Sequence, residues 1–175
     1  MRSHVWRLRS RRCFTIIERA FYKAAARMDA RIAQFSVQHN HVHLVVEAND
    51  ARALARAMQG LCIRVAKRLN RLMGRSGAVF ADRYHSRPLR TPTEVRRALV
   101  YVLCNGRKHL PQVGHSLPSG WIDVEYSSGA WFRGWTRPPP VLFGPAPIAE
   151  PGTWLLTSGW RDKGGGPIGP DEAPN

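Results

Sequence analysis

The stretch Asn40-His41-Val42-His43-Leu44-Val45-Val46-Glu47 constrains this chain most. Val42, Leu44 and Val46 alternate with His41, His43, Val45 and Glu47. A period of two belongs to a strand with one apolar face, because successive side chains leave a pleated backbone on opposite sides. His41 and His43 therefore leave the same side, one pleat apart. Residues 31–38 also alternate, with Ala33, Phe35 and Val37 on one side, and His39-Asn40 makes a short turn between the runs. The two runs predict an antiparallel hairpin. Two imidazoles one pleat apart can grip one divalent cation, since each offers a nitrogen lone pair near neutral pH, although surface or structural duty is the commoner use of histidine.

Charge narrows the function classes. Of 175 residues, 1–110 hold 23 Lys and Arg against 6 Asp and Glu, while 111–175 hold 4 against 6. The positive field thus coincides with the histidines, and a field of that sign concentrates polyanions such as nucleic acid. Cys13, Cys62 and Cys104 are odd in number and far apart, which fits neither a zinc spacing nor a disulfide framework and points to a reduced cytoplasm. The segment Met1 to Arg12 carries six arginines and histidines and does not read as a secretory signal. No apolar run approaches the ~20 residues of a membrane span.

Residues 4–9 alternate and read as a strand, and residues 11–28 read as a helix through Phe14, Ile17, Phe21 and Ala24 or Ala25. Residues 51–73 form the clearest helix, with Leu54, Met58, Leu61, Val65, Leu69 and Leu72 as its apolar stripe and Gly74 at its end. Arg52, Arg56, Arg64, Lys67, Arg68 and Arg71 cover the remaining surface with no acid among them. A solvated face is the ordinary use of such charges; a track for phosphates is the alternative. Residues 79–90 read as another strand or extended segment, with Phe80, Arg83, Tyr84, Arg87 and Arg90. Thr91-Pro92-Thr93-Glu94 then announces a helix: Thr91 caps it, Pro92 suits its first turn and Glu94 completes a capping box. The order predicts an α+β sandwich, an antiparallel sheet with helices on one face and the other face free for the histidines.

On the helix after Thr91, Val95, Ala98, Leu99, Val102 and Leu103 form the apolar stripe. At about 100° per residue, Arg97, Tyr101, Asn105 and Lys108 fall within an arc of roughly 80° elsewhere. Tyr101 and Asn105, four apart, become surface neighbours. A phenol, with a pKa near ~10, attacks poorly at neutral pH unless a metal or cation favours its phenolate. Packing by Tyr101 and an ordinary helix ending at Asn105-Gly106 are the plainer uses of these residues.

Past residue 110 the composition changes: 11 of 13 prolines, 11 of 15 glycines and five of six tryptophans lie there. That shift divides the chain into a domain of residues 1–110 and an irregular extension of residues 111–175. Trp121, Trp131, Phe132 and Trp135 are expected to lay the extension on the domain, with Trp154, Leu155, Leu156 and Trp160 as a second patch and disorder from Gly164 onward.

Taken together, the histidine strand, the basic helix, Phe80-Ala81-Asp82-Arg83-Tyr84-His85 and Tyr101-Val102-Leu103-Cys104-Asn105 resemble, over roughly residues 4–110, the HUH single-tyrosine transposases. Within them the pattern is similar to the branch associated with repetitive extragenic palindromes. The resemblance implies a ferredoxin-like antiparallel sheet with flanking helices. It implies that His41 and His43 would be ligands of Mg2+ or Mn2+, that Asn105 would complete or support the metal site, and that Tyr101 would be the nucleophile. The activity implied is DNA transposition: cleavage and rejoining of single-stranded DNA through a 5′-phosphotyrosine, the 3′ hydroxyl leaving. A DNA hairpin would lie on the basic surfaces, through the six cations of the helix over 51–73 and through Arg83, Arg87, Arg97 and Lys108. Such transposases commonly form homodimers, and the palindrome-associated branch can act as monomers. Gly106 stands where the family often has proline, and His39 where many members have proline or glycine.

Three rivals remain open on the sequence. One is a domesticated, non-catalytic hairpin-DNA binder. A histidine-triad nucleotide hydrolase is another, although Asn40 breaks the alternation that His39-Asn40-His41-Val42-His43 would need. Within the transposase reading, Tyr84 is a rival nucleophile to Tyr101.

Overall fold

The structure is a computed structural model that describes residues 1–25, 29–111, 114, 116–140 and 144–174. It is an α+β fold built on one hairpin. Helix α1 (Arg11–Ala25) is followed by strands β1 (Ala30–Val37) and β2 (Val42–Ala48), then by α2 (Ala51–Leu72), α3 (Pro92–Leu103) and α4 (Asn105–His109). Residues 26–28, expected to continue α1, lie outside the described residues.

The strands pair antiparallel, from Ala30 opposite Ala48 to Val37 opposite Val42, with a bulge between Ile32 and Gln34. The bulge changes which residues share a face. Opposed residues point the same way, so Ile32/Val46, Phe35/Leu44 and Val37/Val42 make the apolar face. Ile32 thus takes the place expected for Ala33. That face packs with Phe14, Ile17 and Phe21 of α1 and Leu61, Val65 and Leu69 of α2. Gln34/Val45 and Ser36/His43 occupy the opposite face.

The opposite face is not open. α3 packs against both strands there, and Val45 joins Val95, Leu99 and Val102 in a second core. The sheet therefore lies between α1 and α2 on one side and α3 on the other, rather than carrying helices on one face alone. Asp50 caps α2 by accepting from the Ala53 N–H at 2.7 Å, and the capping box of Thr91 and Glu94 starts α3 as the sequence predicts. Met73 and Gly74 (φ 62°) close α2.

Residues 4–9 do not form the expected strand; they make turns. The edge of β1 that they would have taken belongs to the extension. The Val37 N–H donates to Tyr126 O at 2.8 Å, the Phe35 N–H to Ser128 Oγ at 2.8 Å, and the Ala149 N–H to Ile32 O at 2.9 Å. A strand edge left bare invites pairing with other chains, and these bonds cover it. Residues 4–9 contribute instead Leu8, fully buried, and Arg9, which donates to Val37 O at 3.0 Å and to Asp123 at 2.6 Å. Residues 79–90 join no ladder, so two paired strands make the whole sheet among the described residues.

The extension is part of the second core. Ile122, Phe132, Trp135, Trp160 and Ile168 are buried against α3, while Trp154 is 51% exposed. The segment from Gly164 is packed rather than disordered through Pro174. Ile168 is fully buried, Thr136 N–H donates to its carbonyl at 2.9 Å, and Arg96 of α3 grips Glu172, Gly166 O and Pro167 O. Arg107 pairs with Asp171. Among the described residues no helix is long and apolar enough to cross a membrane.

Candidate active site

His43 in β2 and His41 immediately before it come to one place, as the alternation predicts. Their Nε2 atoms lie 2.9 Å apart and the rings meet edge to face at 4.6 Å between centroids. Asn40 Oδ1 accepts from His41 Nδ1 at 2.8 Å. That bond fixes the Nδ1–H tautomer and leaves the lone pair on His41 Nε2. The His43 ring is driven well below its ordinary value, to about 4, by burial first and then by the facing His41 and His109. His41 is lowered too, by burial and then by His109 and the Met1 ammonium. The lowered values favour the neutral form of both rings, and in that form His43 Nε2–H donates to the lone pair of His41 Nε2.

α3 brings Tyr101 to this pair. Its ring stands edge to face on His43, 4.9 Å between centroids, and it is 36% exposed. The periodicity fails at the next step. α3 ends at Leu103, Cys104 turns the chain with φ −95° and ψ 3°, and Asn105 opens α4. Asn105 is fully buried instead of sharing a polar surface with Tyr101, and neither its Oδ1 nor its Nδ2 has a hydrogen-bond partner among the described residues. Gly106 follows because a Cβ there would fall 2.9 Å from the Trp121 ring.

The donor set fits a divalent ion in part. At metal–nitrogen distances of about 2.1 Å, the 2.9 Å between the two Nε2 atoms subtends about 90°, an octahedral angle. Among the described residues no group of three or more His, Cys, Asp or Glu surrounds a common point.

An open cleft of about 1440 Å³ runs over the site. Its lining draws on His41, His43, the apolar edge of α2 (Leu54, Met58, Leu61), the segment from Phe80 to Leu89, Arg97 and Tyr101 of α3, and Thr153, Leu155 and Leu156. Of the cations expected to bind DNA, it takes Arg83, Arg87 and Arg97. Arg52, Arg56, Arg64, Lys67, Arg68, Arg71 and Lys108 lie outside its lining, because α2 turns its apolar stripe toward the sheet and cleft. Arg56 also meets an acid that the sequence pattern did not offer it, Asp29 at 3.2 Å, across an exposed surface.

Three residues of the site escaped the sequence reading. Asn40 orients His41. His109, two turns past Tyr101, places its ring 5.8 Å from that of His41; its spacing from Tyr101 was the available signal. Glu47, in the cleft lining, accepts from the N–H groups of Gly152 and Thr153 at 2.7 and 2.8 Å. Burial raises the Glu47 pKa, and the bonds from Thr153 and Gly152, with Arg31 nearby, outweigh it and leave the carboxyl below its usual range. His39 lies in the turn outside both strands, its carbonyl accepting from the Leu8 N–H. The buried Cys104 thiol is pushed up to about 12, chiefly by burial, and stays protonated.

Residues 4–102 match the family model described as "Transposase IS200 like". No curated protein and no solved structure matches the chain. The matched span covers more than half of the 175 residues and includes the histidine pair and Tyr101, so the chain belongs to the IS200-like transposase family.

Proposed function

We propose that the protein is a metal-dependent transposase that cuts and rejoins single-stranded DNA beside a hairpin, with Tyr101 as its nucleophile. The observation that carries this reading is the contact of the Tyr101 ring with His43, whose Nε2 lies 2.9 Å from that of His41, in one open cleft. His41 and His43 would hold Mg2+ or Mn2+, with Asn105 as a supporting amide. When bound, the cation supplies Lewis acidity at the scissile phosphate. Tyr101 Oη attacks phosphorus, the bond to the 3′ oxygen breaks, and a 3′ hydroxyl leaves. The 5′-phosphotyrosine retains the phosphodiester energy, so the 3′ hydroxyl of a second strand can reverse the step without a nucleotide. Arg83, Arg87 and Arg97 would hold phosphates in the cleft. The cations of α2 and Lys108, outside it, would serve the hairpin stem. The order of motifs favours the palindrome-associated branch, acting as a monomer or homodimer.

A second reading, a non-catalytic hairpin binder, is favoured by one observation: Asn105 is sealed in the core and does not line the cleft. One experiment separates the two. Labelled single-stranded hairpin DNA is incubated with the protein and Mn2+ and run under denaturing conditions. A protein–DNA adduct lost in Tyr101→Phe and kept in Tyr84→Phe supports the transposase. Binding without an adduct supports the binder. An adduct lost only in Tyr84→Phe overturns the assignment of Tyr101.

A further inference from the structure

The segment from Ala81 to Pro88 crosses the cleft with no helix or ladder of its own, and every residue in it is exposed. Tyr84 leaves 41% of its surface in water. It lines the same cleft as His43 and Tyr101, with Arg83, His85 and Arg87 beside it. Neither Arg83 nor Arg87 forms an ion pair among the described residues. Glu94, which feels Arg87 and Arg90, is already occupied by the N–H groups of Arg90 and Thr91.

An open aromatic ring flanked in sequence by two arginines, neither in an ion pair among the described residues, gives the fold little. Its chemistry suits an unpaired nucleobase: a base stacks on the ring while the flanking cations hold the phosphates on either side. A duplex cannot use such a platform, because its bases already stack on one another. We propose that Tyr84 is a stacking platform for an unpaired base next to the scissile phosphate, with Arg83 and Arg87 holding the adjoining phosphates. Tyr84 then serves the single-stranded flank rather than the hairpin, and its phenol oxygen takes no part in the chemistry. This assignment rests on the proposed single-stranded DNA site.

The test uses the full chain carrying Tyr101→Phe, in Mn2+, so that DNA binds without being cut. Two probes are titrated: a blunt hairpin, and the same hairpin with a short single-stranded flank containing 2-aminopurine. The flanked probe is expected to bind more tightly, with its fluorescence quenched. Adding Tyr84→Ala should weaken the flanked probe about tenfold and abolish the quench, leave the blunt hairpin unchanged, and be rescued by Tyr84→Phe or Tyr84→Trp. An equal loss on both probes, or no loss on either, overturns the stacking assignment alone. Failure of both probes to bind when Tyr84 is present overturns it together with the DNA reading.

Discussion

The sharpest stability prediction concerns Trp160. Composition marks residues 111–175 as an appendage, yet Trp160 is 2% exposed, packs on Phe132 with ring centroids 5.4 Å apart, and donates its Nε1–H to Leu156 O at 3.2 Å. A buried tryptophan removes about 150–250 Å² from water, which at about 25 cal/mol/Å² is roughly 4–6 kcal/mol. Partial collapse of the space left by Trp160→Ala brings the expected loss to about 3–5 kcal/mol. In a domain of this size that lowers Tm by on the order of 10 °C. Trp154→Ala is the matched control: Trp154 is 51% exposed beside Lys163, so its loss should stay within about 0.5 kcal/mol. Urea unfolding followed by far-ultraviolet circular dichroism measures both without depending on tryptophan emission. A Trp160→Ala loss below about 1 kcal/mol, or one equal to that of Trp154→Ala, refutes the view that the extension completes the core under α3.

Other outcomes follow from the same geometry. Asn40→Ala should weaken Mn2+ affinity about 10–100-fold by calorimetry; wild-type affinity would remove Asn40 from the role of orienting His41. Because the folded His43 titrates at about 4 against 6.5 when free, the unfolded chain binds a proton in that window that the native chain refuses. Stability should therefore rise with pH from about 4 to 6.5 and then level. His43→Gln should flatten that part of the urea-midpoint profile, and an unaltered slope refutes the assignment. A Cβ at Gly164 would fall 2.6 Å from Pro92 O, so Gly164→Ala should destabilise by about 1–3 kcal/mol and speed tryptic cleavage at Lys163; unchanged proteolysis counts against the tail's docking on α3.

The hairpin, the α2 stripe and the start of α3 were legible in the sequence because each rests on local chemistry: alternation, a 3.6-residue period, and a threonine three residues before a glutamate. What local pattern could not supply were interruptions and long-range partners. The bulge that exchanges Ala33 for Ile32 has no glycine or proline to mark it. Cys104 breaks α3 without a helix-breaking residue of its own, and that single turn moves Asn105 from a surface arc into the core. The strand expected at residues 4–9 has a strand-like pattern, but Tyr126, Ser128 and Ala149 hold the β1 edge from far along the chain. Within the site, alternation was enough to place His41 beside His43; helical spacing paired Tyr101 with Asn105 instead, and only the family resemblance joined the tyrosine to the histidines. The run of cations on α2 did not say which of them would line the cleft, because charge composition does not say which way a helix turns.

The late arrival of the second core has a consequence for synthesis. A ribosome making this chain releases both imidazoles and Tyr101 well before Trp160 and Ile168. Until those two emerge, Val95, Leu99 and Val102 of α3 have Val45 of β2 but lack part of the cluster that buries them. At ~5–20 residues per second, the interval lasts several seconds. The arginine-rich part of the nascent polypeptide thus precedes the tail residues that complete the core under α3.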